Sequence, residues 1–230
     1  MCCSEKTAIF DMDGTLFQSE TVALPAFRRA FMRLREEGLY RGDPPSDGEI
    51  QSVFGMTQEE IWSRLLPEAD EGARKRADRW TLEEELAGLR RGEGRLYPGV
   101  AETLRRLKAE GWRLFIASNG LRSYLDGVLE TFRLSPLFTG VYGAGDHGTE
   151  TKEELVRMLM EEHGVTGGFM VGDRKSDVRA GKANGLKVIG CRYPGFTRFG
   201  REDELKDADV VVDRFPDILP VLLNRCGDPS

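Results

Sequence analysis

The sequence predicts an α/β fold, a parallel sheet with helices on both faces, carrying a small all-α domain inserted after the first strand. Three observations predict it. Near the N-terminus the apolar run Thr7-Ala8-Ile9-Phe10 stops abruptly at Asp11-Met12-Asp13-Gly14-Thr15, as suits a central strand covered on both faces. From Gln18 to Arg91 no strand is visible and helical periodicity takes over. Beyond that point short apolar runs alternate with helical segments, which implies parallel strands joined by crossover helices. The expected division is residues 1–17 with 92–230 as the α/β core, and 18–91 as the helical insertion.

Element by element, the insertion begins with Leu24, Phe27, Phe31 and Leu34 on one helical face, while Arg28, Arg29, Arg33 and Arg35 fall largely elsewhere. Ser46-Asp47-Gly48-Glu49 and Thr57-Gln58-Glu59-Glu60 each match a capping box and start two more helices. A fourth runs from about Asp70 to Leu89, with Trp80, Leu82, Leu86 and Leu89 as apolar teeth. Gly92-Glu93-Gly94 reads as a hinge, because glycine permits a backbone change at low steric cost. Pro98 opens a helix through Ala109 and Gly111 stops it. Strands follow at Trp112 to Ala117, Val141-Tyr142, Phe169 to Val171, Lys187 to Cys191 and Asp209 to Val212. Helices are expected at Thr151 to His163 and Ser176 to Asn184, and the tail after Pro220 is expected to fray at its end.

Composition narrows the class. With 230 residues, 40% of them hydrophobic, the chain can bury one substantial core and an accessory domain. It has no apolar run of membrane-spanning length, and Met1 to Lys6 lacks the apolar stretch of a secretory signal, so a cytoplasmic protein with no membrane partner is expected. A net charge of -6 offers no basic face to nucleic acid. The four cysteines, Cys2, Cys3, Cys191 and Cys226, lack zinc or redox spacing and read as free thiols. Monomer and dimer are both open.

Three predicted strands end in polar residues of complementary kinds: Asp11 and Asp13; Ser118 and Asn119; Asp173 and Asp177. In open α/β sheets ligands sit just past the carboxyl ends of the strands. One Asp can act as nucleophile while another, two residues on, faces the same side and exchanges protons. A Mg²⁺ ion with oxygen ligands would relieve their repulsion. Each piece also has a plainer reading: Asp-x-Asp-Gly and Ser-Asn-Gly make turns, and Asp177 near a helix start makes a cap. Lys152 is the most telling residue, since the first turn of a helix disfavours a cation. It either points at the aspartates and a phosphate or is a surface lysine paired with Glu153 or Glu154. The dipole argument predicts that Lys152→Ala impairs chemistry more than folding.

These stretches, Asp11-Met12-Asp13-Gly14-Thr15, Ser118-Asn119-Gly120, Lys152 and Gly172-Asp173 through Asp177, resemble the four motifs of the haloacid dehalogenase-like hydrolase superfamily, in order and over most of the chain. Within it the chain is similar to the phosphoglycolate phosphatase-like group, and the insertion resembles that group's helical cap. The resemblance implies a Rossmann-like core and a Mg²⁺-dependent phosphatase acting on a small phosphorylated metabolite through an aspartyl-phosphate. It implies Asp11 as nucleophile and Asp13 as general acid then base. It further implies phosphate binding by Gly14, Thr15, Ser118, Asn119 and Lys152, and a metal held by Asp11, the carbonyl of Asp13 and Asp173, with Asp177 supporting it through water. One departure is Lys152-Glu153, where many relatives have Lys-Pro.

Competing readings exist. A phosphomutase, a phosphonate hydrolase, a pyrophosphatase or a non-catalytic binding module could share the frame; a dehalogenase has no need of an acid at Asp13. Gly143-Ala144-Gly145-Asp146-His147-Gly148 matches a dinucleotide-binding pattern, but the next helix is predicted to begin only near Thr151. Neither His147 nor His163 needs a catalytic role. In the insertion, Phe54-Gly55-Met56-Thr57 reads either as a loop reaching a site or as a tight interhelical turn. The insertion is expected to move as a lid on Phe17 to Glu20 and Gly92 to Gly94.

Overall fold

The computed structural model describes residues 6–143, 149, 151–197 and 203–224. Its described residues group into two compact units, 6–18 with 96–224 and 19–95.

The first unit is built on a six-stranded, all-parallel sheet. Its strands are β1 (Thr7–Phe10), β2 (Arg113–Ser118), β3 (Gly140–Gly143), β4 (Phe169–Gly172), β5 (Lys187–Cys191) and β6 (Val210–Val212), in the order β3-β2-β1-β4-β5-β6. The sequence order runs outward from β1 in one direction and then, from β4, in the other. The crevice between β1 and β4 is therefore the switch point where such sheets bind ligands. Register is set by Ala8, which faces Leu114 on one side and Phe169 on the other. Every residue of β1 is buried, because successive side chains point to opposite faces and both faces are covered. Ile9 joins Phe115, Met170, Leu155 and Leu159 in one core cluster. Phe10, on the other face, packs its ring against Phe138 and Phe215.

The helices of this unit are α5 (Val100–Ala109), α6 (Arg122–Thr131), α7 (Lys152–His163), α8 (Lys175–Ala183) and α9 (Ile218–Asn224); α1 to α4 belong to the other unit. Helix α5 starts at Val100 rather than at Pro98, since Gly99 lies at φ +79° and a side chain there would meet the ring of Pro216. Helix α6 has no counterpart in the sequence reading. Its N-cap, Leu121, makes no side-chain cap, and Gly127 lies within it, so neither usual start signal nor strong propensity marks it. Burial of Tyr124, Leu125, Val128 and Leu129 along one face holds it in place. The dinucleotide-like stretch falls almost wholly on 144–148, which with Cys2, Cys3, Cys226 and the tail from 225 onward lies outside the described residues. Cys191 is a buried free thiol.

The second unit contains α1 (Glu20–Glu36), α2 (Asp47–Gln51), α3 (Gln58–Leu65) and α4 (Glu71–Arg90). Both capping boxes are formed: Glu49 Oε2 accepts from the Ser46 amide and Glu60 Oε2 from the Thr57 amide, each at 2.8 Å. In α4 the buried set is Ala73, Ala77, Trp80, Thr81, Gly88 and Leu89. Leu82 and Leu86, expected as teeth, are only half-buried, because small residues make up much of the buried face. Gly92, at φ +76°, closes α4, and the Glu93 amide donates back to Gly88 O at 3.0 Å, as at many helix C-termini. Gly55, at φ +80°, lies in the short turn between α2 and α3. Among the described residues no helix is long and apolar enough to cross a membrane.

Candidate active site

Strand β1 delivers the first pair of carboxylates. Asp11 still belongs to the ladder through its amide, which donates to Val171 O at 2.9 Å, and its Oδ1 accepts from the Met12 amide at 2.8 Å. The chain then folds into a tight loop in which the amides of Leu16 and Phe17 both donate to Met12 O. Gly14 makes that loop possible at φ +74°, and a Cβ there would lie only 2.4 Å from Asp173 Oδ2. The glycine thus supplies both a left-handed turn and the space into which Asp173 projects. Thr15, fully buried, donates its hydroxyl to Asp173 Oδ1 at 3.3 Å.

Strand β4 brings the second pair. Asp173 follows its last residue, and Asp177 lies in the first turn of α8, where its Oδ2 accepts the Arg174 amide at 2.9 Å. A Cβ on Gly172 would stand 2.2 Å from Asp177 Cγ, so only glycine lets Asp177 sit so close to the strand. Asp177 caps its helix, as the plainer reading held, and it also accepts from Lys152 Nζ at 2.6 Å. Lys152, just inside the N-terminus of α7, reaches Asp11 Oδ1 at 2.9 Å as well. Its side chain is 2% exposed. The surface-lysine alternative is thereby removed, and burial adds a folding cost to Lys152→Ala that the dipole argument did not include. A buried cation between two buried carboxylates cannot be deleted without leaving them unpaired.

One oxygen from each of Asp11, Asp173 and Asp177 can be chosen so that all lie within 4.8 Å of one another. Asp13 stands apart from this trio, half-buried, with its Oδ1 accepting from Tyr124 Oη at 2.7 Å. Ser118 ends β2, buried, and its Oγ accepts from the Gly120 amide at 3.2 Å; half-buried Asn119 lies between them. Tyr124 and Tyr193 had no part in the sequence reading. Tyr193 Oη donates to Thr15 O at 3.0 Å and ties the loop after β5 to the loop after β1. Periodicity could have marked Tyr124 as an inward residue of a helix, but nothing local announces either hydroxyl's partner.

Electrostatically the cluster is short of positive charge. Burial pushes the Asp173 carboxyl well above the ordinary range, and the charges of Asp177 and Asp11 add to the shift. Asp177 is pushed up to about 6, first by burial and then by Asp11, with Lys152 opposing. Burial disfavours the Lys152 ammonium, yet Asp11 and Asp177 outweigh it and raise its pKa above the usual lysine value. One ammonium among three carboxylates leaves a deficit that a second cation would fill. An all-oxygen donor set suits Mg²⁺, a hard ion that prefers carboxylates and water. The residues present therefore fit that ion.

A family model described as haloacid dehalogenase-like hydrolase matches residues 5–185. The chain is 27% identical over 241 residues to a protein named phosphoglycolate phosphatase from Pseudomonas putida, covering 98% of this chain and 81% of that protein. It is 27% identical over 201 residues to a 5'-nucleotidase from Pseudomonas aeruginosa, covering 86% of each. Among solved structures, one described as a predicted phosphoglycolate phosphatase from Haemophilus somnus superposes with a TM-score of 0.79 at 23% identity, over 96% of this chain and 99% of that one, and shares the fold.

Proposed function

We propose that this chain, which belongs to the haloacid dehalogenase-like hydrolase family, is a Mg²⁺-dependent phosphatase that hydrolyses a small phosphomonoester through a phosphorylated Asp11. The observation that carries the proposal is the buried Lys152 ammonium, 2.9 Å from Asp11 and 2.6 Å from Asp177, at the carboxyl ends of β1 and β4. The ammonium pairs with Asp11 at the point where a carboxylate nucleophile would form an acyl phosphate. Relatives named phosphoglycolate phosphatase and 5'-nucleotidase support phosphomonoesters as the substrate class.

In this reading Asp11 attacks phosphorus while Asp13 protonates the departing oxygen. Asp13, now a carboxylate, takes a proton from the water that cleaves the acyl phosphate. Ser118, Lys152 and the amides around Gly14, Thr15 and Asn119 bind the phosphoryl oxygens, where donors aimed at developing charge contribute most. Asp11, the carbonyl of Asp13 and Asp173 would hold Mg²⁺, with Asp177 supporting it. When bound, the ion neutralises phosphoryl charge and offsets the repulsion between Asp11 and Asp173.

The test is turnover of a panel containing phosphoglycolate, nucleoside 5′-monophosphates, sugar phosphates and pyrophosphate, with and without Mg²⁺. Mg²⁺-dependent release of phosphate from at least one monoester is expected. Full activity in excess chelator after verified metal removal would overturn the metal assignment, and no turnover of any member would favour a binding module.

A further inference from the structure

We infer that Tyr124 is a positioning residue for Asp13, a role that rests on the reading of Asp13 as general acid and then base. Tyr124 Oη donates to Asp13 Oδ1 at 2.7 Å across 111 positions of sequence. Both ends of this hydrogen bond are fixed by the same neighbour. Phe17 meets the Tyr124 ring edge-on, with centroids 6.4 Å apart and planes at 68°. Its backbone also holds the Asp13 loop, through a bridge to Asp13 and through Phe17 O, which accepts from the Gly14 amide at 3.0 Å. Gly120 also adjoins the ring: a Cβ there would stand 3.3 Å from Tyr124 Cδ1. The glycine in Ser118-Asn119-Gly120 therefore leaves room for this ring, which is itself only 6% exposed.

Chemistry gives the contact its meaning. A short carboxylate in a loop has two torsions to settle, and proton transfer needs the donor oxygen within hydrogen-bond reach of its target. Anchoring Oδ1 fixes the carboxyl plane and with it the direction in which the proton is presented. In the first step the Asp11–phosphorus bond forms, the ester P–O bond breaks, and the Asp13 proton passes to the departing oxygen. In the second, water oxygen bonds to phosphorus, the Asp11–phosphorus bond breaks, and a water proton passes to Asp13. Tyr124 keeps its own proton throughout, because Oδ1 can accept its hydrogen bond in the acid and in the carboxylate alike. The contact thus serves both half-reactions without being consumed in either.

The experiment compares kcat/KM for an alkyl phosphate, whose alkoxide must be protonated as it leaves, with that for p-nitrophenyl phosphate, whose phenolate leaves almost unaided. For Tyr124→Phe, which keeps the ring, the alkyl substrate is expected to lose roughly tenfold or more and the nitrophenyl substrate no more than about threefold. Phe17→Leu, which keeps the hydroxyl but loosens the ring, is expected to give the same selectivity more weakly. Added to Asp13→Asn, Tyr124→Phe should change nothing further, since the two act as a unit. Equal losses on both substrates, no loss, or full additivity with Asp13→Asn would overturn the inference. Asp13→Asn by itself separates the two claims: if it shows no leaving-group selectivity, the acid role of Asp13 fails and Tyr124's role falls with it.

Discussion

The helical unit wears its ion pairs on the outside, whereas the sheet unit hides its most consequential ones. Arg28–Asp47, Arg29–Glu84 and Arg33–Glu83 join helices of the 19–95 unit through side chains a third or more exposed. Lys152 pairs with Asp11 and Asp177 behind a side chain 2% exposed. The same chemical groups have different consequences in the two settings. Water and salt screen exposed pairs, each worth about 0 to 1 kcal/mol. Inside, removing one partner strands the others without solvent, which costs about 3 to 5 kcal/mol. Charge density by itself therefore says little about where function lies; burial of charge says much more.

The comparison can be sharpened by four experiments, beginning with the largest expected effect. Asp11→Asn keeps the shape and removes the proposed nucleophile, so turnover should fall by roughly 10⁴-fold or more, as when one member of a catalytic unit is deleted. Near-normal rates in a phosphatase assay would move the nucleophile elsewhere. Lys152→Met comes next. Turnover should drop by about 10²-fold or more, and unfolding in denaturant should show a loss of about 3 kcal/mol in metal-free protein. Wild-type stability with normal turnover would place this lysine in the same category as the surface pairs.

A third experiment uses pH. Asp177 is raised from an ordinary 3.8 to about 6, and Asp173 is raised too. A raised carboxylate pKa means that the folded, metal-free protein holds protons more tightly than the unfolded chain. The stability this gives is fully present below the ordinary value and is lost as pH rises through about 6. Mg²⁺ requires the deprotonated oxygens, so its apparent affinity should weaken by up to about tenfold per pH unit below that point. Thermal melts should show a larger Mg²⁺-induced rise at pH 7.5 than at pH 5; equal rises would contradict the assignment. Smallest of all is Arg28→Ala in the helical unit, expected to change stability by less than about 1 kcal/mol and turnover not at all. A loss comparable with that of Lys152→Met would break the comparison outright.

By itself the sequence determined the local features. The apolar run at β1, the Ser46 and Thr57 capping boxes, the strand at Lys187 to Cys191 and the polar residues after β1, β2 and β4 are written in neighbouring side chains, where periodicity and capping chemistry act over a few residues. From those came the fold class, the family resemblance and the candidate residues. Helix α6 escaped because burial, rather than propensity or a cap, holds it in place. What only the tertiary structure decided is which of those residues meet. Lys152 reads locally as a first-turn surface lysine, and becomes a buried bridge only because α7 and α8 start beside the ends of β1 and β4. Gly14 reads as a turn residue and Gly172 only as part of the stretch that runs to Asp177, yet the space above Gly14 is filled by Asp173 and that above Gly172 by Asp177. Tyr124 reaches Asp13 across 111 positions of sequence that include the whole of the 19–95 segment. Contacts of this kind depend on the packing of distant segments, and the crowding of Asp11, Asp173 and Asp177 around one ammonium exists only once those segments have come together.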